Sequence, residues 1–471
     1  MASWKKVAIG AAGAGGAGYW WTIINDSTDG MRMVGNEGNN PHTVLSDGSI
    51  VFGGHDTGSP GNPGKYGRVI KLNPNGSIAW ESRIGNTIES GDRGYNIASV
   101  THDSSDNIYV AGRYPYGDRP FAIVKLNSSS GAILANEEFD TTGNFLVNMC
   151  GHLGVCDSSK GGLAMAGEIE DRGIESFASA LVHSISDLSS KTSVETFSDS
   201  LNLGNDNGGW VSNNSIYVLA RPWTSGNSRG TMQKLAIGSG GTSLTQTYGK
   251  HYYPNSYTHR SRAVCSTPDD STVVLYCDFQ GFSGSTGIRD HTLMLLNSGG
   301  NPTTVSSFEN GGNNSPDRTS KVRIDSNGNI YLFARISGTN NILKYNSSLQ
   351  KQWHQQISYA SPLNYLEIYG LEIDDDDNLV IAGMSRLSTE SYLGSIIIKI
   401  PNDASLTGSY NGITISNVTS GWTYRDQMTA SSVQTSDVSF RNNTRSQTAQ
   451  NHFTSASGLS TESVSVFEAI S

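Results

Sequence analysis

Apolar positions along this chain come in short bursts closed by Asp, Asn, Ser and Gly, without the 3.6-residue recurrence of an amphipathic helix. The stretch Asp325–Ile357 shows the unit. Asp325–Asn329 is a turn, because Asp, Ser, Asn and Gly tolerate a tight or left-handed backbone. Ile330–Arg335 is β-branched and aromatic and predicts a strand, Asn341–Tyr345 a second, and Asn346–Leu349 reverses the chain again. Gln352–Ile357 predicts a third, with Trp353 and Ile357 on one face.

The unit recurs. Strand copies begin at Ile50, Ile108, Leu163, Ile216, Val273, Ile330 and Leu379, about 50–58 residues apart, close to the longer propeller periods. A following strand accompanies each copy, and most of these carry a late Lys: Val69–Asn73, Ile123–Asn127, Met232–Ala236, Ile342–Asn346 and Ile396–Ile400. Ala180–Ser184 and Leu293–Asn297 lack it. Seven fine, even copies with polar turns predict an all-β chain folded as a seven-bladed β-propeller with extended N- and C-terminal arms. Residues 1–18 form a Gly/Ala-rich docking arm, 19–416 the propeller and 417–471 a Ser/Thr-rich assembly tail.

Propellers close by joining their first and last blades. Trp80 follows Lys71 by nine residues and Ile84 follows four later; Trp353 and Ile357 repeat this after Lys344. No such pair follows Lys399, but Trp20 and Ile24 have the spacing. Tyr19–Asn25 is therefore expected as the outer strand of the last blade, which would remove an open edge. Gly412–Ser416 competes for the slot.

Charged residues make up 16% of the chain, below the ~25% usual in soluble domains. Net charge is −10 and no Lys/Arg run occurs, which argues against a phosphate-binding surface and hence a nucleic-acid partner. There is no apolar span of about 20 residues, so no membrane insertion by helix is expected. Lys5-Lys6 followed by small residues imitates a secretion signal poorly, because Gly dominates; the segment reads as an arm lying close along another surface. The tail beyond Asn417 has only single apolar residues, too few to order it alone. Docking on neighbours is expected, with Trp4, Tyr424, Val464, Val466 and Phe467 as assembly contacts.

Cys150 and Cys156 share a face of one expected strand ~20 Å apart and cannot pair. Cys265 and Cys277 flank a turn as expected cross-strand neighbours, read as buried thiols because bridges between directly paired strands are awkward.

Catalytic motifs are missing from the sequence: no Ser-x-Asp-x-Gly-x-Thr-Trp box, zinc motif, Gly-x-Ser-x-Gly elbow or phosphate loop. The acidic run Asp374–Asp377 suits calcium in composition, but it occupies the turn that is Asp325–Asn329 elsewhere and needs no metal. His42, His55, His102, His152 and His251 are scattered, and Arg113, Arg221, Arg335 and Arg386 recur near strand ends as structural pairs with turn carboxylates. Trp210, Trp223, Tyr252, Tyr253 and Tyr257 fall in the longer fourth- and fifth-blade loops, where exposed aromatics suit sugar binding. No catalytic, cofactor or metal residue is assigned, and the chain is read as not an enzyme.

Met1-Ala2-Ser3-Trp4-Lys5-Lys6-Val7, the turn-strand copies such as Asp325–Arg335 and Asp374–Gly383, and the closing Ile397–Asp403 resemble propeller-bearing virion proteins of tailed phages that infect marine cyanobacteria and related bacteria. The tail departs from that family's aromatic-Thr-Asp-Ala repeats, with Tyr424-Arg425-Asp426 the nearest copy. The resemblance implies a virion structural protein of tail, fibre base or capsid surface, assembled in the host cytoplasm. Its partners would be other virion proteins and copies of itself. The alternative is a glycan-binding adhesin that meets the host surface through the aromatic loops.

Overall fold

The computed structural model describes residues 3–8, 19–25, 31–32, 40–56, 67–84, 96–113, 121–139, 145–146, 151–171, 176–195, 209–220, 223–224, 227–228, 230–253, 259–280, 289–309, 320–389, 393–410, 412–428 and 433–437. They form seven antiparallel blades. The inner strands are His42–Val44, Asn96–His102, His152–Val155, Gly209–Val211, His259–Ser266, Lys321–Ile324 and Leu363–Ile373 for blades 1 to 7. Each packs on the next, and the seventh packs back on the first, so the ring is closed. Every repeat-start residue lies in the second strand of its blade. Second and third strands are sandwiched between neighbouring blades, so Gly67–Leu72 and Gly394–Ile400 are buried throughout. That is why Val69-Ile70 and Ile396–Ile398 place apolar residues in succession rather than in alternation.

The short turns joining inner to second strands share one face and one chemistry. Asp103, Asp325 and Asp374 each accept the backbone N–H four residues on, at 3.0, 2.7 and 2.7 Å. The recurrent third-strand Lys has its explanation here, because a buried ammonium needs a partner. Lys399 Nζ lies 2.7 Å from Asp374 Oδ2 and Lys234 Nζ 3.2 Å from Asp270 Oδ2. Lys344 stands over the Tyr331 ring, whose hydroxyl donates to Asp325 at 3.0 Å. The fourth turn position is left-handed: Gly48, Asp106, Asp270, Gly328 and Asp377 have φ of 76°, 59°, 62°, 78° and 61°. Where it is Asp, the carboxylate reaches the preceding blade. Asp106 accepts from Ser46 N at 3.1 Å, Asp377 from Asn327 Nδ2 at 2.9 Å and Asp270 from Ser215 Oγ at 2.7 Å. Asp374 and Asp377 are thus occupied by protein donors, and the run Asp374–Asp377 is a turn that clasps two blades.

Trp20–Asn25 pairs with Gly394–Ile400 as the outer strand of blade 7, as the Trp-x-x-x-Ile spacing predicts. Trp20 and Ile24 are buried there. The competing segment has another place: Ile413–Asn417 pairs with Lys351–Tyr359, the outer strand of blade 6.

The arms differ most from expectation. Ser3–Ala8 adds a fifth strand to blade 7, with Trp4 opposite Ile24. After blade 7 the chain turns back against blade order. Ile413–Asn417 is a fifth strand on blade 6, Thr423–Met428 on blade 5 and Gln434–Asp437 on blade 4. The described tail strands, up to Asp437, pair with this chain's own blades. The tail's apolar density is low because a strand added to an existing edge is held by backbone hydrogen bonds. Val464, Val466 and Phe467 lie outside the described residues.

Cys265 stands opposite Val274 and Cys277 opposite Ser261, because the turn is centred nearer Asp269 than expected and a bulge follows Ser261. They are not cross-strand neighbours; both are free and buried, as is Cys156. Cys150 lies outside the described residues.

Candidate functional site

Polar side chains of several inner strands converge on the propeller axis. Arg323, from the inner strand of blade 6, is their centre. Its Nε and Nη2 reach Glu372 of blade 7 at 3.0 and 2.6 Å, a two-point pair. Nη2 also donates to Asn40 Oδ1 at 3.0 Å, and Nη1 donates to the Val322 carbonyl at 2.8 Å. The guanidinium carbon lies 4.9 Å from the ring centre of Trp210, across the axis on blade 4. Trp210 in turn stacks on His152 of blade 3 at 4.8 Å. Asn40 precedes the inner strand of blade 1, where His42 Nε2 donates to the Val380 carbonyl of blade 7 at 3.1 Å. Five blades therefore contribute to one packed polar plug.

Electrostatics fix its charge state. Burial opposes ionisation of Glu372, but the Arg323 charge and its hydrogen bonds outweigh that and hold the carboxyl below its usual range. Burial works against the Arg323 cation too, and Glu372 more than restores it. Burial pushes His42 down to about 4 and His152 down to about 3, the Arg323 charge adding to both. At neutral pH the Arg323–Glu372 pair is flanked by two uncharged imidazoles, with the buried Lys321 a further cation acting on both. Neither the pair nor either imidazole titrates near neutrality, where a general acid or base works best. The arrangement ties side chains of five blades together at the axis.

The expected site residues scatter. Trp210 is on an inner strand at the axis, not in a loop. Tyr252 is fully buried between blades 4 and 5, its hydroxyl donating to the Gly300 carbonyl at 2.8 Å, which corrects its assignment to an exposed loop. The outer strand of blade 4 extends to Tyr253, so the chain stays regular past the predicted loop start. Trp223 lies on a two-residue strand paired with Asn227–Ser228, between the second and third strands of blade 4. Tyr257 lies outside the described residues. Tyr424 is an intramolecular contact: its hydroxyl is 2.6 Å from His354 Nδ1 and Lys351 stands 3.7 Å over its ring. Of the recurrent arginines, Arg335 pairs with Glu367 of the next inner strand at 2.6 Å, and Arg386 Nε donates to Asn364 Oδ1 at 2.9 Å. The partners are inner-strand groups, not turn carboxylates. Arg113 ends a second strand and Arg221 lies outside the described residues.

Sequence reading passed over Arg323 and Glu372. Arg323 stands two residues after Lys321 in a four-residue strand, and Glu372 is next to last in an eleven-residue strand just before the acidic turn, so both read as ordinary solvated charges and nothing local tells that they meet.

No family model and no curated protein matches the chain. Among solved structures it is similar to a candidate 6-phosphogluconolactonase from Bacteroides uniformis (11% identity, 79% of this chain and 99% of that one, TM-score 0.43). It is also similar to the Nup133 β-propeller domain of Vanderwaltozyma polyspora (10% identity, 80% and 97%, TM-score 0.42). A third is oligogalacturonate lyase from Vibrio parahaemolyticus (10% identity, 85% and 98%, TM-score 0.40). Likeness of this degree carries no argument about function.

Proposed function

We propose that this chain is a non-catalytic structural propeller of a tailed-phage virion. The location rests on the resemblance carried by Met1–Val7, the turn-strand copies and Ile397–Asp403. The observation that supports a structural role is the axial plug: Arg323 hydrogen-bonds Glu372 and Asn40 where inner strands converge, with its guanidinium over the Trp210 ring. A reacting centre needs a group free to change its charge or partner in mid-reaction, and the pair at this axis is locked on both sides. The expectation that the arms dock on neighbours narrows. Thr423–Asp437 and Ser3–Ala8 are committed to this chain's own blades, so attachment would fall to the ring's remaining surface.

The test is mass spectrometry of purified particles with antibody labelling in electron micrographs. A fixed copy number per particle at one location is the expected result. Absence from particles overturns the reading. The adhesin reading rests on the Trp223 hairpin, which joins the second and third strands of blade 4. Glycan-array binding that is lost in Trp223→Ala would favour it over the structural one.

A further inference from the structure

The tail's path around the ring stops, in the described residues, halfway. Fifth strands begin at Ile413 on blade 6, Thr423 on blade 5 and Gln434 on blade 4. The stride is 423 − 413 = 10 and then 434 − 423 = 11 residues per blade. In the direction of travel, blades 3, 2 and 1 come next, and then blade 7, whose outer edge Ser3–Ala8 already holds. Among the described residues, no strand covers the outer edges of Ser190–Glu195, Ile133–Phe139 and Ile78–Ile84, the outer strands of blades 3, 2 and 1.

Such edges present rows of unpaired N–H and C=O groups, which proteins ordinarily pair or cover. Leu134, in the outer strand of blade 2, is 52% exposed, the largest exposure of a big apolar side chain among the described residues. The chain runs 471 − 437 = 34 residues past the last described strand. Three more strides of 11 from Gln434 give starts near 445, 456 and 467, all within the chain, and the last falls on the apolar run Val464–Phe467. Three edges stand without a partner strand among the described residues, and the 34 residues that follow Asp437 suffice for three more strides.

We propose that the outer edges of blades 3, 2 and 1 are docking sites for this chain's own residues 438–471, added in that order, so that the tail belts the ring until it meets the N-terminal strand. Five residues of chain separate one described tail strand from the next, 418–422 and 429–433, so each crossing has little chain to spare. The occupant is intramolecular because the same chain already supplies every described fifth strand. Being tethered, it competes at high effective concentration against any second copy.

Hydrogen exchange on the full chain tests the order as well as the docking. Chains ending at Ser460, Ala449 and Asp437 should lose protection stepwise. The first should release Ile78–Ile84 alone, the second Ile133–Phe139 as well, and the third also Ser190–Glu195, each by about tenfold or more in outward amide exchange. The outer strands of blades 4 to 6 should not change. A full-length Val464→Pro/Val466→Pro variant, which removes two donors without shortening the chain, should release only Ile78–Ile84. Equal exchange of the three edges in every version overturns the proposal. So does protection that disappears on dilution of the full chain, which would assign those edges to a second copy.

Discussion

Lys399 stands directly opposite Trp20 on the neighbouring strand, the pairing that Lys71 makes with Trp80 and Lys344 with Trp353. In all three the indole N–H donates to a carbonyl in the next blade: Trp20 to Pro74 at 2.9 Å, Trp80 to Ser128 at 2.9 Å and Trp353 to Asn402 at 3.1 Å. The seventh blade is therefore completed by the chain's other end, with the same inter-blade latch as its siblings. A ring assembled from both ends of one chain cannot unwind from either end without breaking such a latch.

Trp20→Ala should then cost about as much as an internal latch, ~3–5 kcal/mol, since it removes a buried indole and leaves a cavity. Urea unfolding of Trp20→Ala and Trp80→Ala side by side checks this. A cost for Trp20→Ala below ~1 kcal/mol would mean the closure is incidental. Removing residues 1–25 should expose the edge of Gly394–Ile400, and light scattering should show association.

The axial plug predicts non-additivity. Arg323→Met leaves Glu372 buried beside Asn40 without a counter-charge and should cost ~3–5 kcal/mol. Arg323→Met/Glu372→Met should recover most of that, because two apolar side chains of similar volume replace the pair. A double-mutant cycle by denaturant titration reads the coupling. If the double variant is as unstable as the single one, the pair contributes more than mutual neutralisation.

What was legible in the sequence was what is local and repeated. Turn chemistry at Asp325–Asn329, the third-strand Lys and the Trp-x-x-x-Ile spacing are set within one blade and recur in several, so the copies reinforced one another and even the distant Trp20 was found. The plug was not legible, because Arg323, Glu372, Asn40 and Trp210 come from four blades and each looks ordinary in its own strand. The tail misled for another reason. Apolar density measures the ability to form a core, whereas Thr423–Met428 needs only an edge to pair with. Tyr252 misled because its strand runs past the point where the sequence turns polar.

Four of the buried histidines should make the fold acid-sensitive above the carboxylate range. Burial lowers His42 and His183 to about 4 and His152 and His354 to about 3, so the folded chain keeps them neutral. The unfolded chain protonates them near 6.5. Between those limits the unfolded state binds more protons, so stability falls as pH drops below 6.5, by up to about 1.4 kcal/mol per pH unit for each histidine. Glu372, depressed in the fold, adds its loss only below its unfolded value of about 4.3. Urea midpoints between pH 7 and 5 should decline steeply, and His42→Gln/His152→Gln should flatten the decline. An unchanged slope in that variant would place the protons elsewhere.

The left-handed turn position separates strain from clasp. Asp377 has φ of 61° and accepts from Ser326 and Asn327 of blade 6, while Gly328 fills the same position at 78° with no carboxylate. Asp377→Gly relieves the backbone but removes the clasp, and Asp377→Ala loses both. The expected order of stability is wild type, then Gly, then Ala, with Ala about 1 kcal/mol below Gly. Thermal unfolding of the pair checks it; equal stability of Gly and Ala would show that backbone strain is not felt there.

The tail strand on blade 5 is held by more than backbone. Arg425 Nη1 lies 3.0 Å from Asp290 and Nη2 2.5 Å from Glu309, two acids buried in the third and outer strands of that blade. Trp422 packs 5.7 Å from Phe308, and Tyr424 spans to His354 of blade 6. While the tail is seated, Arg425 therefore sets its charge against both acids. Arg425→Met should therefore destabilise blade 5 itself and not merely release the tail, by ~2–4 kcal/mol. Asp290→Asn/Glu309→Gln in the same chain should restore much of the loss, because neutral amides no longer need the guanidinium. Hydrogen exchange of Pro302–Glu309 and Arg289–Leu296 is the readout. If Arg425→Met frees Thr423–Met428 while both blade strands keep their protection, the tail is a passenger on blade 5 and the acids find compensation without it.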